Sequence, residues 1–340
     1  MSEIKHKKYN RIDGVWQEKT MKYYEEQGYG AKDIEWCITE KVHGSNFAYY
    51  ITATEMKPAK RNSMLSEGEN FYQYLRLANK VPHKLTAMWD FLAEKGNDDE
   101  KPYYMIVYGE LFGGHYPHPD IPADHSVRMI QKGVWYHPDI NFYIFDIWLN
   151  DRFLDMDMVI DLCQLHDLFC VEILQRGTLV ECLKYPNEFQ TTIPERLGLP
   201  KIEPNICEGW VLKPVSNIFE ENGSRIILKS KNDKFKEVEA TPIKRMKQTK
   251  ELSEYALETL ELILPYINEN RLNSVLSKHG EVFKTDFSTV LSAFKKDIFE
   301  DFNINYDNLR NMLKIDKTNL SKSINKECID IWKPIFLSLI

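Results

Sequence analysis

The sequence predicts an α+β protein, a mainly antiparallel N-terminal domain followed by a small all-α C-terminal domain. Three observations carry that expectation. Short β-rich runs bounded by turn residues recur through the first two-thirds of the chain. A few segments with helical spacing interrupt them. After Lys250 the strand texture stops and helical spacing takes over. The expected organisation is a domain over residues 1–240, a polar, basic linker at 241–250 and a helical domain over 251–340.

The elements follow in order. A short helix around Glu18–Gln27 ends in the turn Gly28-Tyr29-Gly30. From Ile34 the chain alternates, with Ile34, Trp36, Ile38 and Val42 on one face and Glu35, Cys37, Thr39, Lys41 and His43 on the other. The run F-A-Y-Y-I-T-A-T is also β-rich, so the intervening H-G-S-N reads as a hairpin-like connection. Leu85, Met88, Trp89 and Leu92 take i, i+3, i+4, i+7 spacing and predict a helix over Pro82–Lys95, ended by Gly96. Strands are expected at 104–112, 142–149, 209–214 and 225–231, with a helix near Met156–Leu168. In the tail, Leu257, Leu260 and Leu264 mark one helix. Val290, Leu291, Phe294 and Ile298 mark another opened by Asp286, and Lys278-His279-Gly280 is a stop.

Composition narrows the class. The chain has 340 residues and 43% hydrophobic content, which suits a globular protein with a real core. No apolar run reaches the roughly 18 residues of a membrane span, so no membrane partner is expected. The polar start M-S-E-I-K-H-K-K-Y-N lacks the apolar stretch of a secretory signal. Six scattered cysteines read as reduced thiols, which suits the cytoplasm or another reducing compartment. A net charge of −7 argues against coating nucleic acid by bulk electrostatics. It leaves room for a local basic groove, expected along 229–250.

Six short segments carry chemistry. Glu40-Lys41-Val42-His43-Gly44 ends a strand with a lysine at a tight turn. A bare K-x-x-G is more often an ordinary surface lysine, but a lysine amine near other cations can act as a nucleophile. Arg61 in A-K-R offers a planar fork for phosphate. Glu110 in Y-G-E-L-F sits beside glycine and can accept from ribose hydroxyls. F-Y-I-F-D (142–146) supplies aromatics that could stack on a purine or simply fill a core. Glu208 in E-G-W-V-L-K-P is a candidate Mg2+ ligand. Lys229 and Lys231 share a face of one strand, which is costly unless an anion such as a triphosphate lies between them. Together these supply a nucleophile, a purine platform, ribose contacts, a metal carboxylate and phosphate cations.

The ordered set K-V-H-G, Y-G-E-L-F, F-Y-I-F-D, E-G-W-V-L-K-P and L-K-S-K resembles the covalent nucleotidyltransferase superfamily of ligases and capping enzymes. It is most similar to the branch of phage RNA ligase 2 and the trypanosomal RNA-editing ligases. That resemblance implies an ATP-dependent RNA ligase joining 3′-hydroxyl to 5′-phosphate ends, with nicked duplex RNA as the expected substrate. Lys41 would form lysyl-AMP. Glu40 would read the adenine amino group, Val42 would line the nucleotide pocket, Asn46 and Glu110 would bind ribose, and Phe145 would stack on adenine. Arg61 and His43 would serve the phosphate steps, Glu208 the metal (Mg2+, with Mn2+ as its substitute), and Lys229 and Lys231 the phosphates. The helical tail sets the chain apart from DNA ligases and capping enzymes, whose tail is an OB-fold. There Arg271, Asp297 and Asp301 match positions that help seal RNA ends, although Asp301 stands where the family usually has glutamate. A monomer is expected, and the tail could also dock a protein partner. His115, His118, Asp120 and His125 form a further cluster that the resemblance does not explain. Its spacing could suit a metal, and its prolines suit a surface loop.

Overall fold

A computed structural model describes residues 5–96, 101–238 and 252–340. Two compact units result, one of residues 1–16 with 23–232 and one of residues 17–22 with 233–340. The division thus falls at 232/233, while the expected linker lies outside the described residues.

The larger unit holds two sheets. The first has the order β1 (Asp13–Gly14), β11 (Leu228–Lys231), β10 (Gly209–Pro214), β2 (Trp36–Glu40) and β9 (Ile173–Gly177). The second has the order β5 (Ser63–Met64), β4 (Met56–Lys60), β3 (Ser45–Ile51), β6 (Met105–Gly113), β7 (Ile140–Leu149) and β8 (Arg152–Phe153). Named pairs are antiparallel except β1 with β11. The hairpin expected at H-G-S-N is therefore not one, because β2 and β3 belong to different sheets. Alternation reports which face a residue takes, not which sheet its strand joins.

Each face of the second sheet has its own packing. Phe47, Tyr49, Val107, Leu111, Phe142 and Ile144 meet the helices Pro82–Lys95 and Met156–Leu165 in one core. The first helix has the expected bounds, with proline in its first turn and Leu85, Met88 and Trp89 buried. Each such side chain stabilises by about 1.5–3 kcal/mol. The opposite face carries Ala48, Tyr50, Ile106 and Tyr108, which pack with Ile227 of the other layer and with Val211 of β10. By alternation Asn46 and Glu110, two of the expected site residues, fall on this same face.

The smaller unit is helical, with helices at Glu254–Ile263, Glu269–His279, Phe287–Asn305 and Lys314–Leu339 around Leu260, Leu272, Phe294, Ile298, Phe302 and Trp332. The stripe of its first helix is Ala256, Thr259, Leu260 and Ile263, with Leu257 and Leu264 only half-buried. Gly280 ends the second helix at a left-handed φ of 98°. Asp286 stands at the start of the third, but its carboxylate accepts from the Phe283 N–H at 2.9 Å and closes the preceding turn. Among the described residues, no helix is long and apolar enough to cross a membrane.

Candidate active site

After β2 the chain leaves the first sheet and enters the second within four residues. Lys41 still bonds to the first, its N–H donating to the Gly209 carbonyl at 2.9 Å. Gly44 already touches the second, where a Cβ would collide with the Leu111 carbonyl oxygen. Between them the His43 N–H donates to the Tyr136 hydroxyl at 3.0 Å. This crossing sets Lys41 at the junction of the two layers.

There the ammonium of Lys41 lies 2.7 Å from Oε2 of Glu208. Lys231 reaches the other oxygen at 2.8 Å, and His43 Nδ1 stands 3.6 Å from Oε2. Glu208 is placed by Gly209, whose φ of 141° and missing Cβ let β10 begin against Ser230 of β11. Burial opposes ionisation of Glu208, but Lys231, Lys41 and His43 together hold its carboxyl well below the usual range. Glu110 behaves oppositely. Burial pushes it up to about 7 against the pull of Lys41, with Glu208 adding to the rise. Arg61 acts on Glu110 in the opposing sense, and the Gly44 N–H bonds to it. Asn46 lies directly across from Glu110 in the β3–β6 register. Lys41, His43, Arg61, Glu110, Glu208 and Lys231 are therefore one electrostatic cluster in which cations outnumber ionised carboxylates.

Phe145, the residue expected to stack on adenine, stands at a β-bulge. Tyr108 pairs with Asp146 and Gly109 with Ile144, which leaves Phe145 as the extra residue. Ile144 then belongs to the helix-side core, while Phe145 and Asp146 both meet the inner layer. Phe145 is half-buried, with the Tyr9 ring 4.9 Å away at an edge-on 65°. Asp146 is fully buried. It accepts from the Tyr9 hydroxyl at 2.7 Å and from Lys213 at 3.0 Å, and it pairs with Arg225. Burial opposes its ionisation, yet Arg225 and Lys213 keep its carboxyl below the usual range. Lys213 also approaches the Phe145 carbonyl at 3.4 Å, so Phe145 is contacted by Tyr9 at its ring and by Lys213 at its backbone.

Glu40 is held differently. Its carboxylate accepts from the Thr191 hydroxyl, from the Thr192 N–H at 2.8 Å and from the Thr192 hydroxyl at 2.9 Å. Burial raises its carboxyl despite those donors. The residue expected to read adenine is thus already engaged with the 191–192 turn, and Val42 beyond it is buried.

Comparison with known proteins decides the family. A family model described as RNA ligase matches residues 34–231, more than half of the chain. The chain belongs to the RNA ligase family. A second model, described as T4 RNA ligase 2 C-terminal, matches residues 248–330. Among curated relatives, mitochondrial RNA-editing ligase 2 of Trypanosoma brucei brucei is 29% identical, with 81% of this chain and 78% of the relative covered. Mitochondrial RNA-editing ligase 1 of the same organism is 26% identical, with 81% and 71% covered. A solved Naegleria gruberi RNA ligase aligns at 18% identity with a TM-score of 0.46 over 67% of this chain. The chain spans only 56% of that structure's length.

Within this ligase, the other expected residues separate into two groups. Arg271, Asp297 and Asp301 do come together in the helical unit. The guanidinium is fully buried and meets each aspartate at 2.7 Å, and Lys278 adds a contact to Asp297 at 3.0 Å. Arg271 also donates to the Glu237 carbonyl, so it staples that segment to two helices. The histidine cluster shows a different pattern. His115 packs against Trp135, and His118 stands 3.8 Å from Asp120. Among the described residues, no three His, Cys, Asp or Glu side chains are grouped for a metal. The part of the expected basic groove beyond residue 238 lies outside the described residues.

Sequence reasoning missed Tyr9, Thr191, Thr192, Lys213 and Arg225. Lys213 and Arg225 did carry a signal, as charged residues beside apolar runs in the strands expected at 209–214 and 225–231. Tyr9 and Thr191 carried none, because what defines them is a partner more than 130 positions away.

Proposed function

We propose that this ligase uses ATP to join RNA 3′-hydroxyl and 5′-phosphate ends, nicks in duplex RNA among them, through an AMP bonded to Lys41. The observation that carries the reading is the Glu208 carboxylate holding Lys41 at 2.7 Å and Lys231 at 2.8 Å inside a surplus of cations. A buried surplus of positive charge calls for an anion, and a triphosphate is one. Lys41 Nζ, once deprotonated, attacks the α-phosphorus. A P–N bond forms as the P–O bond to pyrophosphate breaks. Lys229, Lys231 and Arg61 would stabilise the charge on the phosphate oxygens. The RNA 5′-phosphate then takes AMP from Lys41, and the 3′-hydroxyl displaces AMP to close the strand.

Phe145 supplies the face for adenine, with Glu110 and Asn46 as acceptors and donors for the ribose. Mg2+ in phosphoryl transfer needs only one or two carboxylates plus phosphate oxygens, so the lack of a three-residue cage among the described residues does not conflict with it. Glu208 is the hard, buried donor that fits, and a bound Mg2+ would neutralise phosphate charge. Preference for RNA would come from reading the 2′-hydroxyl and A-form shape near the 3′-end. Arg271 has no exposed surface, so its expected contribution to sealing is to hold Asp297, Asp301 and the Glu237 carbonyl in place.

The test is sealing of a nicked RNA duplex with ATP and Mg2+, scored by strand length on a denaturing gel. Sealing that Lys41→Ala abolishes supports the reading. A protein that seals nothing, while binding the duplex unchanged in both forms, would make it a non-catalytic RNA-binding protein.

A further inference from the structure

Residues 5–16 precede the stretch matched by the RNA ligase model, yet they run along both layers of the larger unit. At their start they are tied to the second sheet by tyrosine hydroxyls. Tyr104 donates to the Lys5 carbonyl at 2.9 Å, Tyr50 to the Lys7 carbonyl at 2.7 Å and Tyr108 to the same oxygen at 2.9 Å. At their end they join the first sheet. β1 adds to the edge of β11 with Gly14 across from Lys229, and the Val15 N–H donates to the Lys229 carbonyl at 3.1 Å. The Trp16 side chain then folds back over Gly14, where a Cβ would occupy the space of the indole ring. That places the Lys229 ammonium over the ring, 5.7 Å from its centroid.

We propose that Trp16 is a positioning residue for Lys229, its indole face holding the ammonium toward the phosphate site. This rests on the assignment of Lys229 to the phosphates of ATP. An ammonium within about 6 Å of an aromatic face is attracted by the ring quadrupole. A free lysine side chain samples many rotamers, and ordering it costs side-chain entropy when phosphate binds. The indole orders it beforehand. Lys231 needs no such aid, since Glu208 already fixes it. Trp16 thus adds a ring contact to Lys229, while Lys231 contacts the Glu208 carboxylate.

Trp16→Phe and Trp16→Leu separate this role from simple packing. Both cover Gly14 with apolar bulk, but only phenylalanine keeps a ring face. Single-turnover transfer of α-labelled AMP onto the protein would be measured for each, alongside thermal melting and affinity for adenosine, which does not engage Lys229. The expected result is a rate near wild type for Trp16→Phe and a rate roughly threefold to tenfold lower for Trp16→Leu. Adenosine affinity and melting temperature should match between the two. Equal rates for the two variants, or a parallel loss of adenosine affinity, would overturn the proposal. Wild type that forms no adduct at all would instead overturn the ligase reading beneath it.

Discussion

Glu208 in the larger unit and Arg271 in the helical unit are both buried ions at the centre of a charged cluster, and they are balanced in opposite ways. Around Arg271 carboxylates are in excess. Two cations, Arg271 and Lys278, face Asp297 and Asp301 within 2.7 to 3.0 Å, the buried Glu237 is a third carboxylate acting on the guanidinium, and the Glu237 carbonyl takes further guanidinium donors. Around Glu208 the named cations are in excess. One carboxylate meets Lys41, Lys231 and His43, while the neighbouring Glu110 holds its proton up to about pH 7. The first cluster ties one backbone segment to two helices. The second gathers its cations around a lysine at the junction of two sheets, where an anion would be attracted.

The sharpest way to break that contrast is Glu208→Gln. It removes the charge that organises both lysines, so adenylylation should fall by roughly 100-fold or more in a single-turnover assay. A variant within a few-fold of wild type would mean that Glu208 serves packing, as Arg271 does. The matching change in the helical unit is Arg271→Met, which removes the guanidinium shared by Asp297 and Asp301. Urea denaturation should show that unit destabilised by about 3 kcal/mol, while labelling of Lys41 at permissive temperature stays near wild type. Loss of labelling without loss of stability would move Arg271 into the chemistry.

Glu110 gives a smaller effect with a definite sign. Its folded pKa is raised above the unfolded value, so the folded state binds more protons between the two. Stability should therefore decline as pH rises from about 4.5 to about 7 and level off above that, by on the order of 3 kcal/mol. Glu110→Gln should flatten that decline in pH-dependent melting, and an unchanged slope would assign it to another group. The smallest expected effect is at Glu40, where hydroxyls rather than cations satisfy the carboxylate. Thr191→Val should cost about 1 kcal/mol of stability, and a change in the preference for ATP over GTP would show that the turn also shapes the adenine site.

The same contrast marks what the sequence could show. Lys41, Glu208 and Lys231, which the structure brings together, could be picked out from the sequence because residue type and short local motifs carry the signal. The helix at Pro82–Lys95 was legible because periodicity and its terminal residues are local. The crossing from β2 to β3 was not, since alternation is identical whether the next strand joins the same sheet or another. The bulge that turns Phe145 and Asp146 to one face was hidden for a similar reason: it exists only in the register with β6. Arg271 was found as a residue but not as a buried one. Its burial depends on Asp297, Asp301 and Glu237, each 26 positions or more away.

The central claim is that Lys41 carries AMP, and the most direct measurement is peptide mapping after incubation with α-labelled ATP and Mg2+. Because a lysine already bearing AMP would take no label, the protein is first treated with pyrophosphate. The account requires one adenylyl group on the peptide containing Lys41, absent in Lys41→Ala and not formed from GTP. Label on another lysine, or none from either nucleotide, would contradict it.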